Sequence, residues 1–318
     1  MQILTDYRAF SASLRSSVTI GNFDGLHLGH RTILQDLVRT SAETGTASVL
    51  MTFSPHPLQI LHPGKAPSLI LSPEEKIERI RNLGIEYLLI INFDKSLSRL
   101  SAPSFVQEIL VKALRVKHIF VGHNFVFGYR RSGNVSLLKS MGPEFDYTVE
   151  VIPPVEVRGN RVSSTWIREL IQSGRISLAN RLLGRYYSIH GRVASGQGVG
   201  GKSLLPTLNL KPESEILPGK GVYVTLAAYE GNSFQAVTNV GTRPTVAGSH
   251  LSVETHVLDQ QIAVPPQSLE LQFLHRLRDE QKFPSLEALR EQLAKDVLRA
   301  RRFFRLLQKV SHLQLADS

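Results

Sequence analysis

Cysteine is absent from this chain of 318 residues, and methionine and tryptophan are scarce, at three residues and one. Without cysteine there is no disulfide, no thiolate-bound metal, no iron–sulfur cluster and no cysteine nucleophile. No stretch reaches the roughly 18 uninterrupted apolar residues of a membrane helix, and the N-terminus lacks the pattern of a signal peptide. We therefore expect a cytoplasmic protein with no membrane segment.

Acidic residues are in the minority, because 27 Asp and Glu against 37 Lys and Arg give a formal net charge of +10. The basic residues are spread along the chain without a polybasic arm. This pattern favours small anionic ligands such as nucleotides and predicts no obligatory nucleic-acid partner. Hydrophobic residues make up 42% and charged residues 20%, which excludes disordered, collagen and coiled-coil classes. At about 150 residues per domain, the length predicts two domains.

The first half of the chain alternates strand-like and helix-like segments. Helices are predicted from about His30, from a capping box at Ser72, and from Ser101 to about Val116. This alternation predicts a doubly wound, mostly parallel sheet, which binds ligands beyond the carboxyl ends of its strands. The predicted strands are residues 17–20, 47–53, 86–93, 117–122 and 147–152.

The pattern changes near Gly184. Between Tyr186 and Phe273, short strand-like runs are separated by Gly, Pro, Asn and Ser, which predicts a small antiparallel barrel. Ser285 then caps a long amphipathic helix. We predict domains at residues 1–184 and 185–318. The apolar stripe of the last helix consists of Leu286, Leu289, Leu293 and Val297.

Residues 21–30 form a glycine-rich turn between the first of these strands and its helix, with the sequence Gly-Asn-Phe-Asp-Gly-Leu-His-Leu-Gly-His. Glycines let the backbone approach a phosphate, and the helix N-terminus presents free N–H groups to it. His27 and His30 are three residues apart, so both imidazoles can lie on one side of the turn and donate to phosphate oxygens. The alternative is a pair of surface or capping histidines.

A second polar segment surrounds Ser164 and Thr165, with Arg161 before them and Arg168 after them. Hydroxyl groups at a helix N-terminus with arginines beside them suit phosphate groups. The alternative is a simple N-cap cluster for a helix over residues 165–172.

These two segments resemble the signature of the nucleotidyltransferase superfamily in its flavin-specific form. Between them lie Thr-Phe-Ser-Pro-His-Pro at 52–57 and Gly-His-Asn-Phe-Val-Phe-Gly at 122–128. The four segments follow the order found in bacterial bifunctional riboflavin kinase/FAD synthetase enzymes, and the resemblance covers nearly the whole chain. It implies an α/β protein, with a doubly wound nucleotidyltransferase domain followed by an antiparallel β-barrel kinase domain and a C-terminal helix.

The resemblance implies that the first half transfers the adenylyl group of ATP to FMN, giving FAD and pyrophosphate without a protein nucleophile. Three aromatic rings, Phe53, Phe125 and Phe127, could wall the flavin, and the alternative favoured for each is a place in the core. The implied catalytic residues are His27, His30, Arg161, Ser164, Thr165 and Arg168. The implied ATP- and phosphate-binding residues are Gly21, Asn22, Phe23, Asp24, Gly29 and Asn124.

The second half carries a glycine-rich loop from residue 196 that ends in Pro-Thr-Leu-Asn at 206–209 and resembles the riboflavin kinase signature. Residues 196–203 also match a P-loop pattern, but the strand–helix context of a P-loop is absent. Glu254 matches the proposed base for the ribityl hydroxyl, with a solvated strand glutamate as the alternative. The resemblance further implies phosphate contacts at Gly198 and Gly200, Mg²⁺ ligands at Thr207 and Asn209, and flavin contacts at Asn239 and Arg278.

The expected function is the conversion of riboflavin to FMN and then to FAD, with Mg²⁺ accompanying ATP and with FMN and FAD as substrate and product. The kinase half departs from the family pattern at residues 199–205 and 260–266. One alternative is therefore an FMN adenylyltransferase with an impaired kinase domain, and another is a non-catalytic flavin- or nucleotide-binding regulator. We expect a monomer or a weak homo-oligomer.

Overall fold

The computed structural model describes residues 1–11, 13–194, 206–245, 248–260, 262 and 264–316, with side chains except at 243–250 and 310–316. The chain forms two compact units, Met1–Ser164 and Thr165–Ser318. Gly198, Gly200 and the departures at 199–205 lie outside the described residues. No helix in the described ranges has the length and apolarity needed to cross a bilayer.

The first unit is built on six parallel strands. Their ranges are β1 Gln2–Leu4, β2 Ser16–Ile20, β3 Ala47–Ser54, β4 Tyr87–Asn92, β5 Val116–Gly122 and, after two short strands, β8 Thr148–Ile152. The order is β1–β4–β3–β2–β5–β8, and every neighbouring pair is parallel, which confirms the predicted sheet. The shorter strands are β6 Val126–Phe127, β7 Gly133–Asn134, β9 Glu156–Val157 and β10 Asn160–Arg161.

Helices cover both faces of this sheet, which is why its strands are almost continuously apolar. On one face, Leu34, Leu37 and Ile80 pack with Leu50 and Leu88. On the other face, alternate strand residues pack against the buried side chains of a π-helix. The helices of this unit are α1 Leu28–Thr44, α2 Pro57–Leu61, α3 Pro73–Arg81, α4 Lys95–Ser98, α5 Ala102–Ser104 with its π-helical continuation Phe105–Ala113, and α6 Val135–Phe145.

Two helices differ from the sequence analysis. The helix predicted from Ser101 to about Val116 ends at Ala113, because Arg115 turns the backbone at φ 50° and Val116 already begins β5. Helix α6 was not predicted, since Pro143 lies inside it and reads as a helix breaker. The capping box at Ser72 is confirmed, with Ser72 and Glu75 each accepting the other's backbone N–H.

The second unit contains a closed antiparallel barrel of six strands. Their ranges are β11 Tyr187–Val193, β12 Leu208–Pro212, β13 Gly221–Tyr229, β14 Asn232–Thr245, β15 Gly248–Val257 and β16 Ser268–Arg278. The strands follow the order β11–β12–β15–β14–β13–β16 around the barrel. The predicted barrel is therefore confirmed. Helix α7 Ser164–Gln172 starts at the end of the first unit, and α8 Ile176–Leu183 and α9 Leu286–Ala316 complete the second.

Helix α8 packs with the barrel, so the compact second unit begins before the predicted boundary at residue 184. The Asn180 amide donates to the Phe273 carbonyl at 2.8 Å, and its oxygen accepts the Tyr187 N–H at 2.8 Å. The boundary at 184 remains a prediction of where the second catalytic half begins.

A ladder of buried hydroxyl groups links three barrel strands. The hydroxyls of Thr225 and Thr238 are 2.7 Å apart, and those of Thr238 and Thr255 are 3.0 Å apart. All three residues are fully buried, so the middle hydroxyl satisfies both of its neighbours.

The ladder predicts unequal costs for two isosteric substitutions. Thr238→Val should destabilise the barrel by about 1–3 kcal/mol, because it leaves two buried hydroxyls without this partner. Thr225→Val removes an end of the ladder and should cost about 0.5–1.5 kcal/mol. Urea unfolding followed by circular dichroism compares them, and equal losses would contradict the ladder.

Candidate active sites

The first candidate site lies where β2 and β3 end and α1 begins, at the ligand-binding edge of the sheet. The loop backbone is left-handed at Phe23, Gly25 and Leu26, with φ of 48°, 84° and 43°. Such conformations cost a non-glycine residue free energy and occur mostly where the surroundings impose them, often at functional sites.

The two predicted histidines meet in this loop. Their rings stack with centroids 3.6 Å apart at 15°, and His27 Nδ1 accepts the His30 backbone N–H at 3.3 Å. Gly29 makes room for this arrangement, since a Cβ there would lie 3.3 Å from the His27 ring. The prediction that both imidazoles lie on one side of the turn is confirmed.

His30 is suited to receive a ligand. Burial lowers its pKa well below the ordinary histidine value, and positive charge on His27 and Lys76 lowers it further. Its Nδ1 atom is inaccessible to solvent and has no hydrogen-bond partner in the described part of the chain. A buried polar atom of this kind points to a missing partner.

Asp24 and Ser164 hold the loop in place. The buried Asp24 carboxylate accepts the backbone N–H groups of Ile70 at 3.0 Å and Leu71 at 3.3 Å. The Ser164 hydroxyl donates to the Asp24 carbonyl at 2.9 Å. Both side chains thus make bonds within the protein, which favours a positioning role over direct phosphate contact.

Lys76 was missed by the sequence analysis. Its ammonium donates to the Asn22 carbonyl at 2.7 Å and to Thr52 Oγ1 at 2.8 Å. Burial lowers its pKa to about 8, although the charge of Asp24 acts in the opposite direction. The available signal was its spacing, because Lys76 lies four residues before the fully buried Ile80 on the same helix face.

Arg161 and Asn124 are also brought together. Arg161 donates to Asn124 Oδ1 at 3.0 Å and to His123 Nε2 at 3.2 Å, on the exposed surface beyond β5. Thr165 is exposed and Arg168 half-buried on α7, in the second unit. Roles for Thr165 and Arg168 in adenylyl transfer remain predictions.

The three phenylalanines predicted to face flavin have different surroundings. Phe127 is buried in the core, and the half-buried Phe125 stacks on it at 5.4 Å. Phe53 instead meets Phe93 edge-on at 5.7 Å. The burial of Phe127 fits the alternative prediction that it is a core residue, whereas Phe125 and Phe53 are partly exposed.

The second candidate site is a row of side chains across the barrel wall. Asn209 and Asn239 both lie opposite Glu254 in the strand register, one on each side of it. The same row continues through Val222 to Arg278. Four residues predicted from widely separated positions therefore share one level of the barrel.

The part of this row from Glu254 through Asn239 to Arg278 lines a cavity of about 400 Å³, which α9 lines on another side. The predicted apolar stripe of α9 faces the cavity, which supplies the apolar wall that a planar ring system requires. His256 also lines it, and its Nδ1–H donates to the Pro206 carbonyl at 2.9 Å, next to Thr207. The stripe consists of Leu286, Leu289, Leu293 and Val297.

Arg278 is engaged at the end of the row by a buried carboxylate. Its guanidinium donates to Asp296 Oδ2 at 2.9 and 2.8 Å, and Gln292 donates to the other oxygen at 2.8 Å. Arg278 also lies over the Phe283 ring at 5.6 Å. The ion pair fixes both the guanidinium and the segment where α9 crosses the cavity.

The donors near Thr207 fit Mg²⁺ bound mainly through a substrate. Thr207 and Asn209 offer hydroxyl and amide oxygens, and the Glu254 carboxylate is opposite Asn209. Across the described ranges there is no cluster of three or more His, Asp or Glu side chains that could hold a metal by itself. Magnesium commonly binds through one or two protein groups together with waters and nucleotide phosphates.

Comparison with known proteins now decides the family. The family model described as FAD synthetase matches residues 10–166, and the one described as riboflavin kinase matches residues 183–304. The bifunctional riboflavin kinase/FMN adenylyltransferase of Escherichia coli K12 is 37% identical over 91% of this chain and 93% of its own length. The chain belongs to the bifunctional riboflavin kinase/FMN adenylyltransferase family.

Other relatives agree with this assignment. The family member from Pseudomonas fluorescens is 39% identical over 89% of this chain and 91% of its own length. A crystal structure titled macrolide-efflux protein from Streptococcus pneumoniae matches 94% of this chain and 98% of its own, with a TM-score of 0.85 and 28% identity. Efflux is said of the Streptococcus pneumoniae protein alone and is not carried over to this chain.

The buried ion pair predicts a large stability effect within the kinase half. Asp296→Asn should destabilise it by about 3–5 kcal/mol, because Arg278 would keep a buried charge without its counter-ion. Asp259→Asn on the exposed pair with Arg301 is the matched control and should cost at most about 1 kcal/mol. Thermal and urea unfolding measure both, and comparable losses would contradict the assigned difference.

Proposed function

We propose that this chain makes FAD from riboflavin in two ATP-dependent steps, one in each compact unit. The barrel unit phosphorylates riboflavin, and the parallel-sheet unit transfers the adenylyl group of a second ATP to the FMN formed. The proposal rests on one observation: the structure assembles two separate sets of residues, one in each unit. The stacked His27 and His30 lie at a phosphate loop, whereas Glu254 lies between Asn209 and Asn239 in an apolar-walled cavity.

In the kinase step, the ribityl hydroxyl oxygen attacks the γ-phosphorus of ATP, the bond to the bridging oxygen breaks, and ADP leaves. Glu254 accepts the hydroxyl proton. Asn209 and Asn239 flank Glu254 in the register and support its position and that of the substrate. The apolar stripe of α9 holds the flavin ring, with Arg278 fixed by Asp296 at its polar edge.

Mg²⁺ bound with ATP would be held by Thr207 and Asn209 and would neutralise charge on the transferring phosphates. His256 positions this segment through the Pro206 carbonyl. The proposed phosphate contacts of Gly198 and Gly200 come from the family resemblance alone.

In the adenylyl step, an FMN phosphate oxygen attacks the α-phosphorus of ATP and pyrophosphate leaves. No protein nucleophile is required, so the protein contributes positioning and charge stabilisation. His27 and His30 would bind the phosphates at the N-terminus of α1, with Gly21, Asn22, Phe23 and Gly29 shaping the loop. Arg161 and Asn124, already joined by a hydrogen bond, would contact phosphate or flavin at its rim.

Neither alternative is favoured. Against an impaired kinase half, Glu254 lies in register with Asn209, and the riboflavin kinase family model matches residues 183–304. A regulator without activity would not require a stacked histidine pair with a buried, unpartnered nitrogen.

The dispersed positive charge supports no obligatory nucleic-acid partner. Because each proposed set of residues lies on one chain, a monomer or weak homo-oligomer is sufficient, and we place the enzyme in the cytoplasm, where ATP is plentiful.

The experiment is a chromatographic time course of the purified chain with riboflavin, ATP and Mg²⁺, run beside two variants. His30→Ala should abolish FAD formation, because the phosphate loop loses one of its phosphate-binding side chains. FMN should still accumulate. Glu254→Gln should slow FMN formation from riboflavin by about 10²–10⁴-fold through loss of the base. This variant should still convert added FMN to FAD.

The same time course separates the alternatives. Wild-type protein that converts FMN to FAD but leaves riboflavin unchanged would indicate an impaired kinase half. A folded variant that loses both activities would overturn the assignment of one step to each unit.

A further inference from the structure

Lys76 lies at the proposed phosphate loop, and the two proposed reaction steps do not use it. Its ammonium donates to the Asn22 carbonyl at 2.7 Å and to Thr52 Oγ1 at 2.8 Å, at the carboxyl ends of β2 and β3. Thr52 also donates to the Asn22 carbonyl, at 3.2 Å. Two donors therefore converge on a single carbonyl oxygen of the loop.

The direction of this carbonyl matters because a peptide is planar, and its N–H points opposite to its C=O. Lys76 and Thr52 hold the Asn22 carbonyl, so the N–H of Phe23 in the same peptide is directed away from them. Phe23 has a φ of 48°, which is unfavourable for this residue type unless the surroundings impose it. The two donors supply such a restraint.

The ammonium of Lys76 is held by hydrogen bonds to neutral groups. Both of its hydrogen-bond acceptors, the Asn22 carbonyl and the Thr52 hydroxyl, are neutral oxygens. Its charge interacts with Asp24 in the loop and with His30 on α1, which is itself stacked on His27. A desolvated cation is stabilised when an anion reaches it.

A second observation points to the same anionic ligand. His30 Nδ1 is buried and makes no hydrogen bond to the described residues. The positive charge of Lys76 lowers the pKa of His30. Two nitrogen groups with capacity for an anionic ligand thus lie near each other beside a helix N-terminus. Phosphate oxygens are the chemistry that satisfies both.

We propose that Lys76 is a positioning residue of the adenylyl-transfer site, which orients the Asn22–Phe23 peptide and supplies a positive charge that the nucleotide phosphates neutralise. The inference rests on the proposed function of the first unit. It adds a residue to that reaction and predicts that this lysine serves catalysis at the expense of stability.

The first test uses Lys76→Met, which keeps the length of the side chain and removes its charge. FAD formation from FMN and ATP should fall by about 10²–10³-fold in kcat, as when a preorganised donor is removed from a charged transition state. Riboflavin phosphorylation should be unchanged, because it belongs to the other unit. Lys112→Met, which removes an exposed lysine of the same unit, is the matched control and should leave both activities unchanged.

A binding readout accompanies the kinetics. Inorganic pyrophosphate should raise the unfolding temperature of the wild-type protein and of Lys112→Met, but raise that of Lys76→Met much less. Without ligand, Lys76→Met should unfold at the wild-type temperature or above, because burial disfavours the lysine charge. A merely structural lysine would give the opposite result, with lower stability and normal kinetic constants.

The pH profile separates charge from shape and needs no loss-of-function variant. With a pKa of about 8, Lys76 is charged below that pH and neutral above it, so wild-type FAD formation should decline as the pH rises through about 8. Lys76→Arg keeps its charge to beyond pH 12 or so and should move this decline to higher pH. His30 cannot cause the decline, because its pKa lies below the ordinary histidine value.

The outcomes distinguish the two levels of the argument. If the wild-type protein makes no FAD from FMN, the proposed function of the first unit fails. If it makes FAD and Lys76→Met does so with wild-type kinetic constants, only the role of Lys76 is overturned. An alkaline decline that is identical in wild type and Lys76→Arg would also overturn it.

Discussion

The buried carboxylate of Asp24 is the anchor on which the first site depends. It accepts two backbone N–H groups from residues 70 and 71, some 46 positions along the chain, and its own carbonyl accepts the Ser164 hydroxyl. Two distant segments are thereby fixed to one residue of the glycine-rich loop. The left-handed residues on either side and the stacked histidines are possible because this anchor restrains the backbone between them.

The second site depends on strand register rather than on a single anchor. A shift of one residue in β15 would move Glu254 to the other face of the barrel wall, since side chains alternate along a strand. The buried threonine ladder on that other face resists such a shift, because Thr255 would lose its place beside Thr238. The same strand pairing therefore stabilises the barrel interior and positions the Glu254 row on the opposite face of the wall.

Much of this arrangement could be predicted from the sequence, and the exceptions have a common cause. Continuous apolar runs predict the parallel strands, turn residues predict the barrel, and the spacing of His27 and His30 predicts their shared side. Contacts between distant segments carry no such local signal. The bond from Lys76 to Asn22 joins residues 54 positions apart, and the alignment of Asn209 with Glu254 depends on strand pairing. Helix α6 is hidden for a different reason, because its internal Pro143 contradicts local propensity.

The central claim is that one chain carries two different phosphorus chemistries. Phosphorus NMR of a single reaction containing this protein, riboflavin, ATP and Mg²⁺ tests it most directly, because ADP and pyrophosphate give separate signals. ADP should appear first and pyrophosphate should follow, with pyrophosphate equal to the FAD formed and ADP equal to the sum of FMN and FAD. FAD that forms with only one of these two products would contradict the claim. The absence of both products when riboflavin is supplied would also contradict it.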